Sequence, residues 1–380
     1  MNCVPKDGLE HPSATIQGAA EDLGAARLGK ITGLLIGTAV GDAIGLAREG
    51  LSHRRAERLF GGAPLGYDLF WGRGFGSDDT EHTCMVAQSL LSAPSNVDEF
   101  LRELAWRLRW WLLGLPAGVG WATLRSIVKL WLGISPVRSG VRSAGNGPAM
   151  RSALIGACFA SDDGRLNAYV SAATRLTHVD PRALDGARAV ALAAQCAMQC
   201  TAASLEPLYV LERIEKRTGD AEFRRRLQTI AGHLGRQSTP AEVAAEFGLG
   251  NGVTGYVLDT VPLAFFCWLR WPGDFRVAVE QVILLGGDTD TTGAIVGALS
   301  GTTNGIESIP TEWRNGLADW PRSPAWIEAL AERLTRQFDG VAPPEAVGRQ
   351  PLFWPGIVPR NLLFAMVVVL HAMRRLLPPY

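Results

Sequence analysis

Asp288 and Asp290, separated by Thr289 and followed by Thr291 and Thr292, stand where an apolar run breaks at Gly286-Gly287. Far upstream, Ser77-Asp78-Asp79-Thr80 sets the same chemistry ahead of another apolar run. In each case the spacing predicts a helix with its acids in the first turn. Oxygens placed there cap orphan backbone N–H groups and favour the positive end of the helix dipole. One cap per helix suffices, so each run carries surplus acid. Neighbouring carboxylates repel unless a cation compensates. If the two runs converged, their four carboxylates would carry a charge of roughly −4, enough to balance two divalent cations. Oxygen donors without nearby Cys or His suit the hard ions Mg2+, Mn2+ and Ca2+ rather than Zn2+. On residue types alone, capping and metal binding both stay open.

Two other patterns near Asp288 carry less weight. As a calcium loop of EF-hand type, Asp288, Asp290 and Gly293 would fill positions one, three and six, but Leu299 falls where a bidentate Glu is required. The same run fits the DxDxT motif of haloacid-dehalogenase-type phosphatases, with Asp288 as nucleophile. Those enzymes resemble one another in placing a Lys and a further acid pair downstream. Here no Lys follows Lys216, and the second acid pair lies upstream.

The elements that must hold these acids are glycine-striped. Gly33, Gly37, Gly41 and Gly45 recur every fourth residue, and so do Gly293, Gly297 and Gly301. On a helix such a stripe lets a neighbouring backbone approach closely. Each Gly costs about 1 kcal/mol against Ala in a helix interior, so the stripes imply packing, a ligand, or both. The two striped helices are expected to be neighbours. Helical spacing also covers Pro94 to Leu113, Trp121 to Leu132, Met150 to Ala160, Leu166 to Leu176, Pro181 to Thr201 and Trp326 to Phe338. Gly255 to Leu269 and Val277 to Leu285 read equally as helix or buried strand. Period-2 alternation is rare, so the expected class is all-α. The expected organisation is a flexible tail over residues 1–26, a domain over 27–340 and a C-terminal extension over 341–380.

Composition narrows the setting. The 380 residues are 47% hydrophobic with a formal net charge of zero, so no electrostatic footprint points to nucleic acid. Six scattered Cys and no signal-peptide core lead to the expectation of a reduced, cytoplasmic protein. Leu362 to Met373 is strongly apolar and bordered by Arg360, Arg374 and Arg375. It is shorter than the roughly 20 residues that span a bilayer. A buried or partner-covered helix is the plain reading, and contact with a membrane surface the sharper one.

Taken in order, the motifs resemble the ADP-ribosylglycohydrolase family, which includes the dinitrogenase-reductase-activating glycohydrolase and ADP-ribosyl-acceptor hydrolases. Gly41-Asp42-Ala43-Ile44-Gly45 through Glu49 looks like the family's GDAxGxxxE opening. Ser77-Asp78-Asp79-Thr80 matches its [ST]DDT, and Gly118-Val119-Gly120 looks like a degraded RGxG loop. Gly145-Asn146-Gly147 through Arg151 matches NGxxMR, Thr177-His178 matches TH, and Gly287-Asp288-Thr289-Asp290-Thr291 matches GGDTDT. The resemblance implies a compact all-α orthogonal bundle. It also implies a binuclear Mg2+ site, with Mn2+ as a substitute, held by Ser77, Asp78, Asp79, Asp288, Asp290 and Thr291.

The implied substrate is ADP-ribose on a modified protein, with arginine the first-choice acceptor and ADP-ribose the product. Serine-linked ADP-ribose and O-acetyl-ADP-ribose are the alternatives, as is a non-catalytic, crystallin-like member of the family. Cleaving the anomeric bond passes through an oxocarbenium-like state and needs a carboxylate to handle the proton. Asp79 and Glu49 are the two candidates for that role. Gly118, Gly120, Ser143, Gly145, Asn146, Gly147 and His178 are the expected substrate contacts, since glycine lets backbone N–H groups reach phosphate oxygens. Arg138 and Arg142 could add charge there. Trp71, Trp110, Trp111 and Trp121 are candidates for stacking on adenine.

Overall fold

A computed structural model of the chain describes residues 12–339 and 347–378, with side chains from Gly24 onward. Residues 1–11 of the expected tail, and residues 341–346 of the expected extension, lie outside the described residues. The glycine-striped helix runs Pro12–Gly45, so it takes in residues 12–26 of the expected tail. Among the described residues there are eighteen α-helices and two strands of two residues each.

The two glycine stripes meet. Helices Pro12–Gly45 and Thr289–Asn304 run antiparallel, with Gly33 facing Gly301, Gly37 facing Gly297 and Gly41 facing Gly293. A Cβ added at Gly293 would stand 2.5 Å from the Gly41 carbonyl oxygen, and one at Gly41 would collide with the Gly293 carbonyl. Backbone therefore packs on backbone, a closeness that side chains would forbid. Between Ile31 and Arg48 every residue of the first helix and the turn after it is buried, so this pair is the centre of the core.

The remaining helices pack around that pair. Ambiguous by periodicity, Val257–Arg270 and Phe275–Ile283 are both helices, and the first is buried over nearly its whole length. The expected single helix from Met150 to Ala160 is broken into Gly147–Met150 and Ala153–Cys158. The break turns the Arg151 guanidinium inward, where it donates to the Ala173 carbonyl at 3.0 Å and to Thr177 Oγ1 at 2.7 Å. A short helix, His53–Phe60, was not legible as an element in the sequence. The five described cysteines are free thiols.

The apolar C-terminal segment forms the helix Ile357–Arg374. By length and composition it, like the buried N-terminal helix, is long and apolar enough to cross a membrane. Ile357, Arg360, Asn361, Phe364, Val367 and His371 are nevertheless buried against the body, while Leu362, Met366, Val369 and Met373 face outward.

The glycine seam is testable by stability. Gly297→Ala should destabilise the protein by about 1–3 kcal/mol through overpacking. Gly29→Ala, where an added methyl meets nothing within 4 Å, should be neutral or stabilising by up to about 1 kcal/mol. Urea unfolding of both variants distinguishes the seam from ordinary helical glycine.

Candidate active site

Ser77 opens the helix Asp78–Ser92 as its N-cap, its hydroxyl accepting from the Asp79 amide at 3.3 Å. The cap itself is held by Asp42, which the core helix buries completely. Asp42 Oδ2 accepts from the Ser77 amide at 2.7 Å, the Thr80 amide at 3.1 Å and the Thr80 hydroxyl at 2.5 Å. Burial raises the Asp42 pKa to about 6 while these hydrogen bonds pull it down. Asp42 was not among the expected site residues. The available signals were its place in the Gly41-Asp42-Ala43 motif and its position as an acid between small and apolar residues on a glycine-striped helix.

Asp288 caps the helix Thr289–Asn304 by position only, because its side chain makes no capping hydrogen bond. Its Oδ2 instead accepts from Asn146 Nδ2 at 2.6 Å, and Asn146 also donates to Thr260 Oγ1 at 3.0 Å. Capping is thus the role of Ser77 but not of Asp288. Gly286 and Gly287 lead into Asp288 with φ of +76° and +84°, and a Cβ at Gly287 would collide with the Val253 carbonyl. The same two glycines pair with Leu51–Ser52, and the Gly50 amide donates to the Gly287 carbonyl at 2.7 Å. That tie sets Glu49 beside the acids.

The two acid runs converge. Thr291 Oγ1 donates to Asp79 Oδ2 at 3.2 Å. Ser77, Asp78, Asp288, Asp290, Thr291 and Glu49 all line one pocket of about 340 Å3. Asp79 lies just behind, almost fully buried, and its Oδ1 has no hydrogen-bond partner. The pKa values of Asp78, Asp79 and Asp290 are all pushed well up, first by burial and then by neighbouring carboxylates. Glu49 keeps solvent contact at the rim, and its pKa is raised by partial burial and the Asp288 charge while Arg375 opposes the rise. Among the described residues, no three acidic, His or Cys side chains already close around one point as a ready-made cage.

The other expected contacts share this pocket. Gly118, Gly120, Ser143, Gly145, Asn146, Gly147 and His178 line the pocket, joined by Thr123. Ser143 Oγ accepts from the Gly145 amide at 3.2 Å, and the Asn146 amide donates to the Gly255 carbonyl at 3.0 Å. His178 Nδ1 lies 2.9 Å from Thr177 Oγ1, which accepts from Arg151. The network is satisfied when Thr177 donates to Nδ1, an assigned tautomer that leaves Nε2–H toward Gly145 and Gly147. Burial and the Arg151 charge lower the His178 pKa to about 3. His82, whose Nδ1 meets Arg151 at 2.9 Å, is pushed well below the usual range for the same reasons.

Some expected contacts are elsewhere. Arg138 and Arg142 are exposed and do not line the pocket. Trp71 and Trp110 lie away from it, and Trp111 is buried, donating to Glu81 Oε2 at 2.5 Å. Trp121 alone of the four lines the pocket, with 72% of its surface exposed. An unexpected wall comes from the C-terminal helix, through Phe364 and Val368.

An all-α bundle with clustered carboxylates facing a glycine-lined pocket has the apparatus of an enzyme that hydrolyses glycosyl bonds. Comparison with known proteins agrees. The sequence profile of ADP-ribosylglycohydrolase matches residues 23–344, and the chain belongs to that family. It is a hydrolase of the bond between ADP-ribose and an acceptor. ADP-ribosylhydrolase ARH3 of Xenopus tropicalis is 28% identical over 83% of this chain and 98% of its own. ADP-ribosyl-[dinitrogen reductase] glycohydrolase of Rhodospirillum rubrum is 25% identical over 75% of this chain and 89% of its own. A solved structure, an ADP-ribosylglycohydrolase-related protein complex, superposes with a TM-score of 0.63 at 27% identity, covering 82% of this chain and 99% of that one.

His178 should stay neutral between pH 5 and 8, so its ring carbon resonances should not titrate there by NMR. Its depressed pKa adds stability above the unfolded value of 6.5 and loses it as pH falls from 6.5 toward about 3. Asp42→Ala strands the Ser77 and Thr80 donors in the core and should cost about 2–4 kcal/mol in urea unfolding.

Proposed function

We propose that this protein removes ADP-ribose from a modified protein in a divalent-cation-dependent reaction, with arginine as the acceptor. The observation that carries this reading is the Thr291–Asp79 hydrogen bond, which joins the two acid-bearing helix starts on one pocket. The donor set fits two Mg2+ or Mn2+ ions. Asp79 Oδ1 is buried without a partner, three aspartates are pushed toward protonation by burial and by neighbouring carboxylates, and every donor is oxygen. Ser77, Asp78, Asp79, Asp288, Asp290 and Thr291 would hold the ions. When bound, such ions polarise ribose hydroxyls and an attacking water.

The chain's own groups supply the rest. Asn146 fixes the Asp288 carboxylate, and Asp42 fixes the start of the Asp78–Ser92 helix. Glu49 at the rim and Asp79 behind the acids are the carboxylates that take a proton from water or give one to the leaving group. Glycine backbone at residues 118, 120, 145 and 147 admits a diphosphate, and neutral His178 offers it an N–H. The exposed Trp121 indole suits stacking on adenine. A protein substrate is supported by the Rhodospirillum rubrum relative, whose name carries a modified protein.

Release of free ADP-ribose should be followed from arginine-linked and serine-linked substrates side by side. Faster release from the arginine-linked substrate is expected, with activity abolished by EDTA and restored by Mg2+. Asp288→Ala should lose at least about 100-fold. Full activity of that variant, or of the wild type in EDTA, would overturn the assigned site.

A further inference from the structure

The helix Ile357–Arg374 lies beyond the family-matched residues 23–344, yet it is fastened to three loops of the pocket. At its start, Asn361 Nδ2 donates to the Gly114 carbonyl at 2.7 Å, ahead of the Gly118–Gly120 loop. Arg360 donates to the Gly76 carbonyl at 2.5 Å, next to Ser77, and to Asp319 Oδ2 at 2.7 Å, which in turn accepts from the Gly76 amide at 3.1 Å. At its end, His371 Nε2 and Arg375 both meet the Ala47 carbonyl at 2.9 Å, two residues from Glu49. Strung between these anchors, the helix crosses the pocket, and Phe364 and Val368 form part of its wall.

We propose that this helix is the acceptor-side wall of the active site, and that Phe364 and Val368 determine which acceptors are cleaved. The inference rests on the ADP-ribose reading above. The wall through Gly118, Gly147 and His178 offers backbone and imidazole N–H groups, as a diphosphate requires. Phe364 and Val368 offer none, and Val368 lies one turn before His371, whose ring meets the Ala47 carbonyl between Leu46 and Glu49. What meets them is the part of the substrate beyond the scissile bond. An apolar wall there strips water from the leaving group and limits its bulk. Changes of one or two methylenes in such a wall alter selectivity by about tenfold or more.

The test separates acceptor recognition from ADP-ribose binding. The paired substitutions Phe364→Ala and Val368→Ala should shift the ratio of kcat/KM for arginine-linked over serine-linked substrate by about tenfold. The Kd for free ADP-ribose, measured calorimetrically, should stay within about twofold of wild type, because the N–H-bearing wall is untouched. Val368→Trp fills rather than empties the same space and keeps the proposal testable if the double variant fails to fold. It should lower kcat/KM for both linked substrates by about tenfold with ADP-ribose binding retained. Met366→Ser, on the outward face, should change none of these values. Unchanged kcat/KM ratios in the double variant together with unchanged turnover in Val368→Trp would overturn the proposal. So would loss of ADP-ribose affinity in parallel with turnover. A wild-type protein that neither binds nor releases ADP-ribose would overturn the functional reading itself, and this proposal with it.

Discussion

Backbone packed on backbone, along the line from Gly33–Gly301 to Gly45–Thr289, sets the positions of everything that does chemistry. Because no side chain separates the two helices, the start of Thr289–Asn304 is pressed against the end of Pro12–Gly45, and Thr289 Oγ1 donates to the Gly45 carbonyl at 2.8 Å. Asp42 lies on the same core helix one turn before that contact. Its carboxylate collects the amides that begin the Asp78–Ser92 helix. One helix therefore grips both acid-bearing helix starts, and the distance between them follows from its rigidity.

The electrostatics are arranged in layers. At the pocket, burial and then neighbouring carboxylates raise the pKa of Asp78, Asp79 and Asp290, and no arginine among the described residues forms an ion pair with them. Arginines do lie one layer back, but they are already matched. Arg322 pairs with Glu81 at 2.5 Å and Arg360 with Asp319 at 2.7 Å. Arg151 is hydrogen-bonded to His82, Thr177 and a carbonyl, and its charge reaches Asp78 without forming an ion pair. Isolating carboxylates in this way is costly unless a cation is taken up, since desolvation opposes the charged form. The unsatisfied Asp79 oxygen is the clearest sign of that cost. Hydroxyl and amide donors from Thr291 and Asn146 offset only part of it.

The pocket walls are linked by short backbone pairings rather than by a sheet. Residues around Val141 pair with Thr177 and Val179, Asn146 with Gly255, and Val253 with Gly286 and Asp288. A loop far from its neighbours in sequence is thus tied to the next loop by one or two hydrogen bonds. The C-terminal helix adds a second set of ties, from Gly76, Gly114 and Ala47, and closes the side that these pairings leave.

Much of this is legible in the amino-acid sequence. The four-residue glycine period predicts that two helices lie together, because close backbone packing offsets the cost of so many helical glycines. The position of the acid pairs at helix starts, the all-α class and the order of the motifs were equally readable. Boundaries were less so: Met150 to Ala160 reads as one helix by periodicity, and only the inward turn of Arg151 shows why it breaks. Arg138 and Arg142 were plausible phosphate ligands by type, but exposure depends on which face of a loop meets the body, and sequence spacing does not encode that. Asp42 was hidden for the opposite reason, since its importance lies in three donors contributed by residues 77 and 80. The sequence by itself determined the local chemistry, meaning which residues start helices, carry oxygens or permit close approach. The tertiary structure alone decided which of them meet. Convergence of Asp79 with Thr291, and of Phe364 and Val368 with the same pocket, arises from packing between segments hundreds of residues apart, where periodicity carries no information.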